Sequence, residues 1–403
     1  MKIGIIREGK TPPDSRVPLS PQQCAVLQKE QHIDLIVQPS TGRCFSDQDY
    51  LNAGVRLSED LSDRDLLLGV KEVPIELLIP EKTYCFFSHT IKEQAYNRSL
   101  LQAILQKNIQ LVDYEVLTNE KGRRLIAFGK FAGMVGAHNA LLTYGKRSGQ
   151  PALKRMRDHR DYAEAVQNYK NTVFPAVKIV LTGNGRVANG AALVLQDMGI
   201  RKIEPQDFLQ LSVVNETVFT QLECRDYAAR KDGSAFKKQD FYERPDLFES
   251  TFRPYTQLAD IMINGIYWDN RAPAFFTKEE MKEADFRIKV IADVTCDIAP
   301  MSSIPSTLRP STIADPFFGY DPASEKETAP FQAHTVDMMT IDNLPNELPR
   351  DASVAFGEQF MQHILPEFLG AKNTGVIERA TVAINGQLGK HFQYLEDYVT
   401  ATH

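Results

Sequence analysis

The stretch VKIVLTGNGRVANGAALVLQDMG, from Val177 to Gly199, constrains the fold of this chain more than any other. Val177 to Leu181 are aliphatic around a single lysine, which reads as a strand buried on both faces of a parallel sheet. Gly183, Gly185 and Ala188 follow as Gly-x-Gly-x-x-Ala, and an amphipathic helix begins at once. Each small residue has its own task in that setting. Gly183 makes the tight turn, Gly185 lets a pyrophosphate approach the backbone, and Ala188 permits close helix packing, while the free N–H groups of the helix start face the phosphates. Arg186 and Val187 lie at the same junction and share the nucleotide-binding assignment. A second strand, RKIEP, carries Glu204 about 20 residues after the glycines, where an acid accepts the adenosine ribose hydroxyls. A carboxylate there repels a 2'-phosphate and favours NAD(H) over NADP(H). If Glu204 instead points to solvent, Arg186 or Lys202 is the group to hold a 2'-phosphate.

The N-terminal part repeats the alternation of short strand and helix: KIGII, PQQCAVLQKEQ, IDLIV, DQDYLNAG, DLLLGV, YCFF, IKEQAYNRSLLQAILQKN and QLVDY. At 403 residues the chain exceeds what one core of about 100–200 residues organises, so two domains are expected. The fold class predicted is α/β, two Rossmann-like domains with parallel sheets and an interdomain cleft. Residues 1–132 read as a substrate-binding and catalytic domain. Residues 346–403 pack back on it, because they hold too few strands for a core of their own. Residues 133–345 read as the dinucleotide-binding domain, opening with long helices and interrupted by a charged, poorly patterned stretch, 206–253, read as an insertion.

In parallel α/β sheets, ligands bind beyond the carboxyl ends of the strands. Arg16 in DSRVPLSP, Lys71 in GVKEVP, His89 in FFSHTIKEQ and Glu115 in VDYEVL all stand near such ends. Lys71 and His89 follow apolar runs directly, so both reach one crevice if those runs are neighbouring parallel strands. No His-x-x-x-His pair or carboxylate cluster accompanies His89, and no Gly-x-Ser-x-Gly elbow is present, so neither a metal nor a serine nucleophile is expected. The net charge of −6 comes from 46 basic and 52 acidic residues mixed along the chain, which leaves no footprint for nucleic acid or anionic lipid. KIGII is followed at once by charge and builds neither a signal peptide nor a membrane span, so a cytoplasmic protein is expected. Five scattered cysteines without a C-x-x-C pair read as reduced thiols, mostly in the core.

The runs GVKEVP, FFSHTIKEQ, LVDYEVLTNEKGRRLIAFGKFAGMVG, LTGNGRVANGA, INGIYW, IADVTCDI and TIDNLPNELP, in this order, resemble the lysine-ketoglutarate reductase half of the bifunctional aminoadipic semialdehyde synthases. More distantly the chain is similar to lysine-forming saccharopine dehydrogenases and to alanine dehydrogenases, whose N-terminal pattern RVPLSP echoes. The resemblance implies an acid–base pair at Lys71 and His89, a glutamate beside the lysine at Glu115, a substrate-carboxylate arginine at Arg16 and a substrate-side role for Glu72. It also points to Arg123 and Asp297 as neighbours of the nicotinamide nucleotide. The chain ends at His403 without the saccharopine-cleaving part of the bifunctional proteins, so the implied reaction is the condensing half or its reverse. That half joins lysine and 2-oxoglutarate to saccharopine, and its small-molecule partners are an amino acid and an oxo acid. Reductase halves are associated with NADPH while Glu204 argues for NAD, so NAD(H) and NADP(H) both stand. Either His89 or a Lys71 of depressed pKa could take the proton from the substrate amine, and a nearby Glu115 opposes that depression. Two other readings stay open: an alanine dehydrogenase-like enzyme acting on pyruvate, and a non-catalytic dinucleotide sensor.

Overall fold

A computed structural model describes residues 1–211 and 213–401, and the chain divides into two compact units, Met1–Phe128 with Pro349–His403, and Gly129–Leu348. The first unit is built on an eight-stranded sheet in the order Gln387–Leu388, Thr381–Ile384, Gln110–Asp113, Thr83–Phe86, Leu66–Leu68, Lys2–Ile5, Asp34–Val37, Arg56–Leu57. The six strands from the N-terminal part all pair in parallel, and the two from the C-terminal part add antiparallel beyond Gln110–Asp113. Leu66–Leu68 is fully buried, as expected of a central strand covered on both faces.

Local chemistry starts the helices. Ser20 caps Pro21–Gln31 in a reciprocal box with Gln23, and Pro21 occupies the first helical position, where its missing N–H costs nothing. Ser46 and Asp49 do the same for Asp47–Asn52. The run IKEQAYNRSLLQAILQKN is only half a helix. Glu93 adopts a left-handed conformation (φ 54°), so the run opens as two 3-10 turns, Thr90–Lys92 and Ala95–Asn97, before the helix Arg98–Gln106. Near the C-terminus the helix begun at Pro349–Gln359 widens into a π turn at Phe360–Ile364 before Leu365–Phe368. Pro366 has no N–H and its ring would collide with the carbonyl four residues back, and the π turn just before it relieves both.

The second unit has its own eight-stranded sheet, ordered Lys326–Thr328, Phe317–Asp321, Val336–Met339, Val290–Asp293, Ile261–Asn264, Lys178–Thr182, Val218–Leu222, Arg201–Lys202. All but the first two strands pair in parallel. One sequence expectation is corrected here. The RKIEP strand, reduced to Arg201–Lys202, lies at the outer edge, and the strand beside Lys178–Thr182 is Val218–Leu222, from the stretch read as an insertion. The reason is burial: Arg201 and Lys202 are both exposed, whereas VFTQL is β-branched and aromatic and fills a position covered on both faces. Only Ala228–Arg230 and Phe248–Ser250 stand apart, as a separate antiparallel pair.

The helix that carries the glycine turn, Arg186–Asp197, packs against the helix Gly129–Ser148 at two glycines. A Cβ on Gly133 would lie 1.8 Å from the Val187 carbonyl oxygen, and one on Gly190 would lie 2.1 Å from that of Lys130. All five cysteines are free, and Cys24, Cys85 and Cys224 are buried. No described helix is long and apolar enough to cross a membrane. Because the obstacle at Gly190 is backbone rather than a mobile side chain, Gly190→Ala is expected to force the helices apart and lower unfolding free energy by about 2 kcal/mol or more. Urea titration of the full chain measures it, and an unchanged midpoint would contradict the close crossing.

Candidate active site

In the first unit, Lys2–Ile5, Leu66–Leu68, Thr83–Phe86 and Gln110–Asp113 are consecutive parallel neighbours, so the residues that follow each strand emerge at one edge. That edge gathers Glu8, Lys71, Glu72 and His89. Glu72 is the hub: its two oxygens accept from Lys10 Nζ at 3.0 and 2.8 Å, and its Oε1 is 2.5 Å from His89 Nδ1. Burial alone would raise the Glu72 carboxyl, but the bonds from His89 and Lys10 outweigh it and hold the pKa at about 2. Glu72 is therefore an anion at neutral pH and can only accept, which puts the proton of the imidazole on Nδ1 and leaves Nε2 to face a ligand. The His89 backbone is left-handed, with φ 54° and ψ 8°, a conformation that costs a non-glycine residue about 1–3 kcal/mol.

Lys71 emerges beside this pair. Burial lowers its pKa first, and the charges of Arg16 and Lys10 lower it further, against the opposite pull of Asp14 and Glu72. The balance that the sequence left open falls on the low side, which raises the share of neutral amine able to take up a proton. The loop that presents Lys71 is held by Glu8, whose two oxygens accept the backbone N–H groups of Val70 and Lys71 at 2.7 and 2.8 Å. Glu8 is part-buried, and desolvation of its carboxyl outweighs the two N–H bonds and raises its pKa to about 8. Sequence reading took the charge after KIGII only as the end of an apolar run and so missed Glu8. The available signal was an acid three residues beyond a central parallel strand. Asp113, itself buried, fixes the next two loops by accepting from Ser88 N (3.1 Å), Ser88 Oγ (2.5 Å) and Glu115 N (2.8 Å).

Other expected residues fall differently. Glu115 reaches the same edge but pairs with Lys92 at 3.4 Å and Arg124 at 3.3 Å rather than with Lys71. The carboxylates whose charge acts on the Lys71 amine are those of Asp14 and Glu72, while Glu8 holds its backbone N–H. Arg16 is buried, lies 4.2 Å above the Phe128 ring and meets Asp14 through Nε at 2.9 Å and Nη2 at 2.6 Å. The Nε–Nη2 edge of its fork is thus taken up by Asp14, and both side chains are almost fully covered. Arg123 sits in an exposed turn of the first unit, its N–H donating to Asn119 Oδ1 at 3.0 Å.

In the second unit the loops after Lys178–Thr182, Ile261–Asn264 and Val290–Asp293 share an edge, again because these strands are parallel neighbours. Asp297 is exposed in the third of them. Gly183 has φ +102°, and a Cβ there would lie 2.7 Å from the Gly265 carbonyl oxygen, so turn and close approach both require glycine. Gly185 differs: among the described residues, its chain neighbours aside, no atom lies within 4 Å of the place its Cβ would take. Packing does not demand glycine there, and the open space above the start of Arg186–Asp197 fits a pyrophosphate. Glu204 does not stand at this turn. It occupies the N-cap position of the short helix Pro205–Gln210, without a side-chain capping bond, after the outer-edge strand. The acid at the end of the strand beside the turn is Glu223, whose carboxylate is held below its ordinary pKa by the Asn184 side chain and by Arg225. Lys202 is engaged by Gln221 at 2.9 Å.

Residues 4–135 match the family model described as alanine dehydrogenase/PNT, N-terminal domain. The chain is 28% identical to the mitochondrial alpha-aminoadipic semialdehyde synthase of Mus musculus over 98% of its own length and 47% of that protein, so it spans about half of that relative. It is 27% identical to a saccharopine dehydrogenase [NAD(+), L-lysine-forming] of Emericella nidulans, covering 90% of this chain and 91% of the other. This chain is a homologue of the aminoadipic semialdehyde synthases and lysine-forming saccharopine dehydrogenases. Its fold is that of an L-alanine dehydrogenase, with a TM-score of 0.66 at 16% identity over 99% of this chain and 100% of that one.

For this homologue the Glu72 anion has a measurable signature. A carboxylate depressed from 4.5 to about 2 contributes stability that is present above pH 4.5 and lost as pH falls toward 2. Glu72→Gln should cost about 2 kcal/mol at neutral pH, allowing for solvent screening, and should remove that part of the acid-side slope. Denaturant unfolding at a series of pH values tests this, and parallel pH curves for the two proteins would refute the hub role.

Proposed function

We propose that this protein is a nicotinamide-dependent oxidoreductase of lysine metabolism, acting on a CH–NH bond. It joins the ε-amine of lysine to the keto carbon of 2-oxoglutarate and reduces the resulting imine to saccharopine, or runs the reverse. The observation that carries this reading is the Lys71, Glu72 and His89 constellation, with the Glu72 carboxylate bound to His89 Nδ1 at 2.5 Å, at a strand edge beside a low-pKa lysine. The names of its relatives supply the substrate class.

On this reading the unit formed by Met1–Phe128 and Pro349–His403 handles the substrates, and Gly129–Leu348 holds the dinucleotide. A substrate ammonium must lose a proton before it attacks a carbonyl. His89 Nε2 accepts it, and the Glu72 anion stabilises the imidazolium that forms. Lys71, whose amine is held below its usual pKa by burial and by Arg16 and Lys10, relays a proton to the hydroxyl that leaves as water. Arg16 offers a planar fork to a substrate carboxylate, Glu115 sets the charge at the rim, and the family resemblance assigns Arg123 and Asp297 to the nicotinamide nucleotide. The dinucleotide, when bound, supplies or takes the hydride at the imine carbon. Glu223 at the turn favours NAD(H), because its carboxylate accepts ribose hydroxyls and repels a 2'-phosphate. Free thiols fit a cytoplasmic enzyme.

The direct test follows nicotinamide absorbance with lysine plus 2-oxoglutarate, set against pyruvate plus ammonia, for NADH and NADPH in turn. His89→Ala and Lys71→Ala should each lower turnover about a hundredfold or more while dinucleotide affinity holds. Near-normal turnover in both would sink the assignment; preference for pyruvate and ammonia would indicate an alanine dehydrogenase, and binding without any turnover a sensor. Cofactor choice has its own test. Glu223→Ala should move the ratio of kcat/KM for NADPH over NADH upward by about tenfold, roughly 1.4 kcal/mol, while Glu204→Ala leaves it in place. The opposite pattern would return the role to Glu204.

A further inference from the structure

The stretch between Val218–Leu222 and Ile261–Asn264 has so far been given one strand and one acid. Its remainder forms a small body of its own. The antiparallel pair Ala228–Arg230 and Phe248–Ser250, with the helix Lys238–Glu243, encloses an aromatic cluster in which Phe241 lies 5.1 Å from Phe248 and Tyr227 lies 5.0 Å from Phe275, both edge to face. This body overhangs the glycine turn. Between them is a cavity of about 430 Å³ whose wall runs from Gly183 and Gly185 through Tyr227 and Tyr242 to Tyr267 and Trp268. That volume lies in the range of about 300–1,000 Å³ usual for small-molecule sites.

Two features of the cavity point to its occupant. Its lining is chiefly aromatic and apolar, yet Tyr242 and Tyr267 are 57% and 93% exposed, large rings left mostly in water, with Tyr242 6.2 Å from the Phe241 ring and under Lys238 Nζ at 5.9 Å. It also opens between the loop after Val218–Leu222 and the loop after Ile261–Asn264, the two strands that flank Lys178–Thr182. A dinucleotide whose pyrophosphate lies over Gly185 and whose ribose meets Glu223 must carry its base onward into this space. We propose that residues 224–250 form an aromatic hood for the adenine ring, with Tyr242 and Tyr267 closing on it at the mouth of the cavity. The hood rests on the dinucleotide reading above and adds the part of the ligand it grips. It makes adenine, remote from the chemistry, the main handle by which this unit holds the cofactor.

The chain's only tryptophan, Trp268, lines the cavity with its Nε1 donating to the Met301 carbonyl at 2.8 Å, which supplies an internal probe. Titrating the full chain with NADH, ADP-ribose and reduced nicotinamide mononucleotide should change Trp268 fluorescence with the first two only. The double variant Tyr242→Ala, Tyr267→Ala removes exposed rings and should melt as the wild type does. It should weaken NADH and ADP-ribose by about tenfold to a hundredfold, the usual worth of stacking a base on aromatic side chains, and leave the mononucleotide unchanged. Equal NADH affinity in wild type and variant overturns the hood while leaving the dinucleotide reading intact. Failure of the wild type to bind NADH at all overturns both. Equal weakening of NADH and the mononucleotide overturns the assignment to adenine.

Discussion

Parallel pairing is the constraint on which the rest of this molecule depends. A parallel strand must be followed by a crossover, so every loop that leaves the carboxyl end of such a strand appears at the same edge of its sheet. In the first unit this delivers Glu8, Lys71 and His89 from three adjacent strands to one place, although they are far apart in sequence. In the second it does the same for the glycine turn, the Gly265 loop and the loop of Asp297. The two antiparallel strands Thr381–Ile384 and Gln387–Leu388 extend the first sheet only on the far side of Gln110–Asp113, where they do not interrupt that edge.

The chemistry at the first edge follows from how its charges are partnered. A buried carboxylate is costly unless it is bonded, and the three acids there resolve that cost in different ways. Glu72 is met by two cationic or donating side chains and stays ionised, so it can orient a histidine and stabilise its charged form. Glu8 is met only by backbone N–H groups and is pushed to about 8, so it serves to hold the Lys71 loop rather than to neutralise Lys71. Asp113, with hydroxyl and backbone donors, braces the loops of Ser88 and Glu115. The amine of Lys71 is thereby left beside anions that are otherwise engaged, and burial sets the direction of its shift.

What the sequence could reveal was decided by range. Alternation of apolar runs with helical ones is a local signal, and it was enough for two parallel α/β sheets and for Lys71 and His89 as residues that follow neighbouring strands. Long-range pairing was not legible. Nothing in VDYEVL shows that Glu115 turns to Lys92 and Arg124, since both lie on elements whose positions depend on the fold. Glu8 was hidden for a related reason: its partners are backbone groups more than 60 residues away, and backbone donors leave no mark in a sequence. The half-helix after His89 was misread because a left-handed glutamate has no compositional signature comparable to glycine.

The proposed exchange of Glu204 for Glu223 as the ribose-binding acid rests on the same limit. Counting about 20 residues from the glycines assumes that the next strand in sequence is also the next in space. Here the next strand, Arg201–Lys202, is too short and too polar to lie between covered faces, so the sheet places it at the rim and inserts Val218–Leu222 beside the turn. An acid reads a ribose because of the strand it terminates, so the position transfers to whichever acid ends the inner strand. The same insertion continues past Glu223 into the aromatic body over the cavity. One excursion of the chain thus provides both the inner strand of the sheet and the wall beside it, and both sit on the side of the turn away from the loop of Asp297.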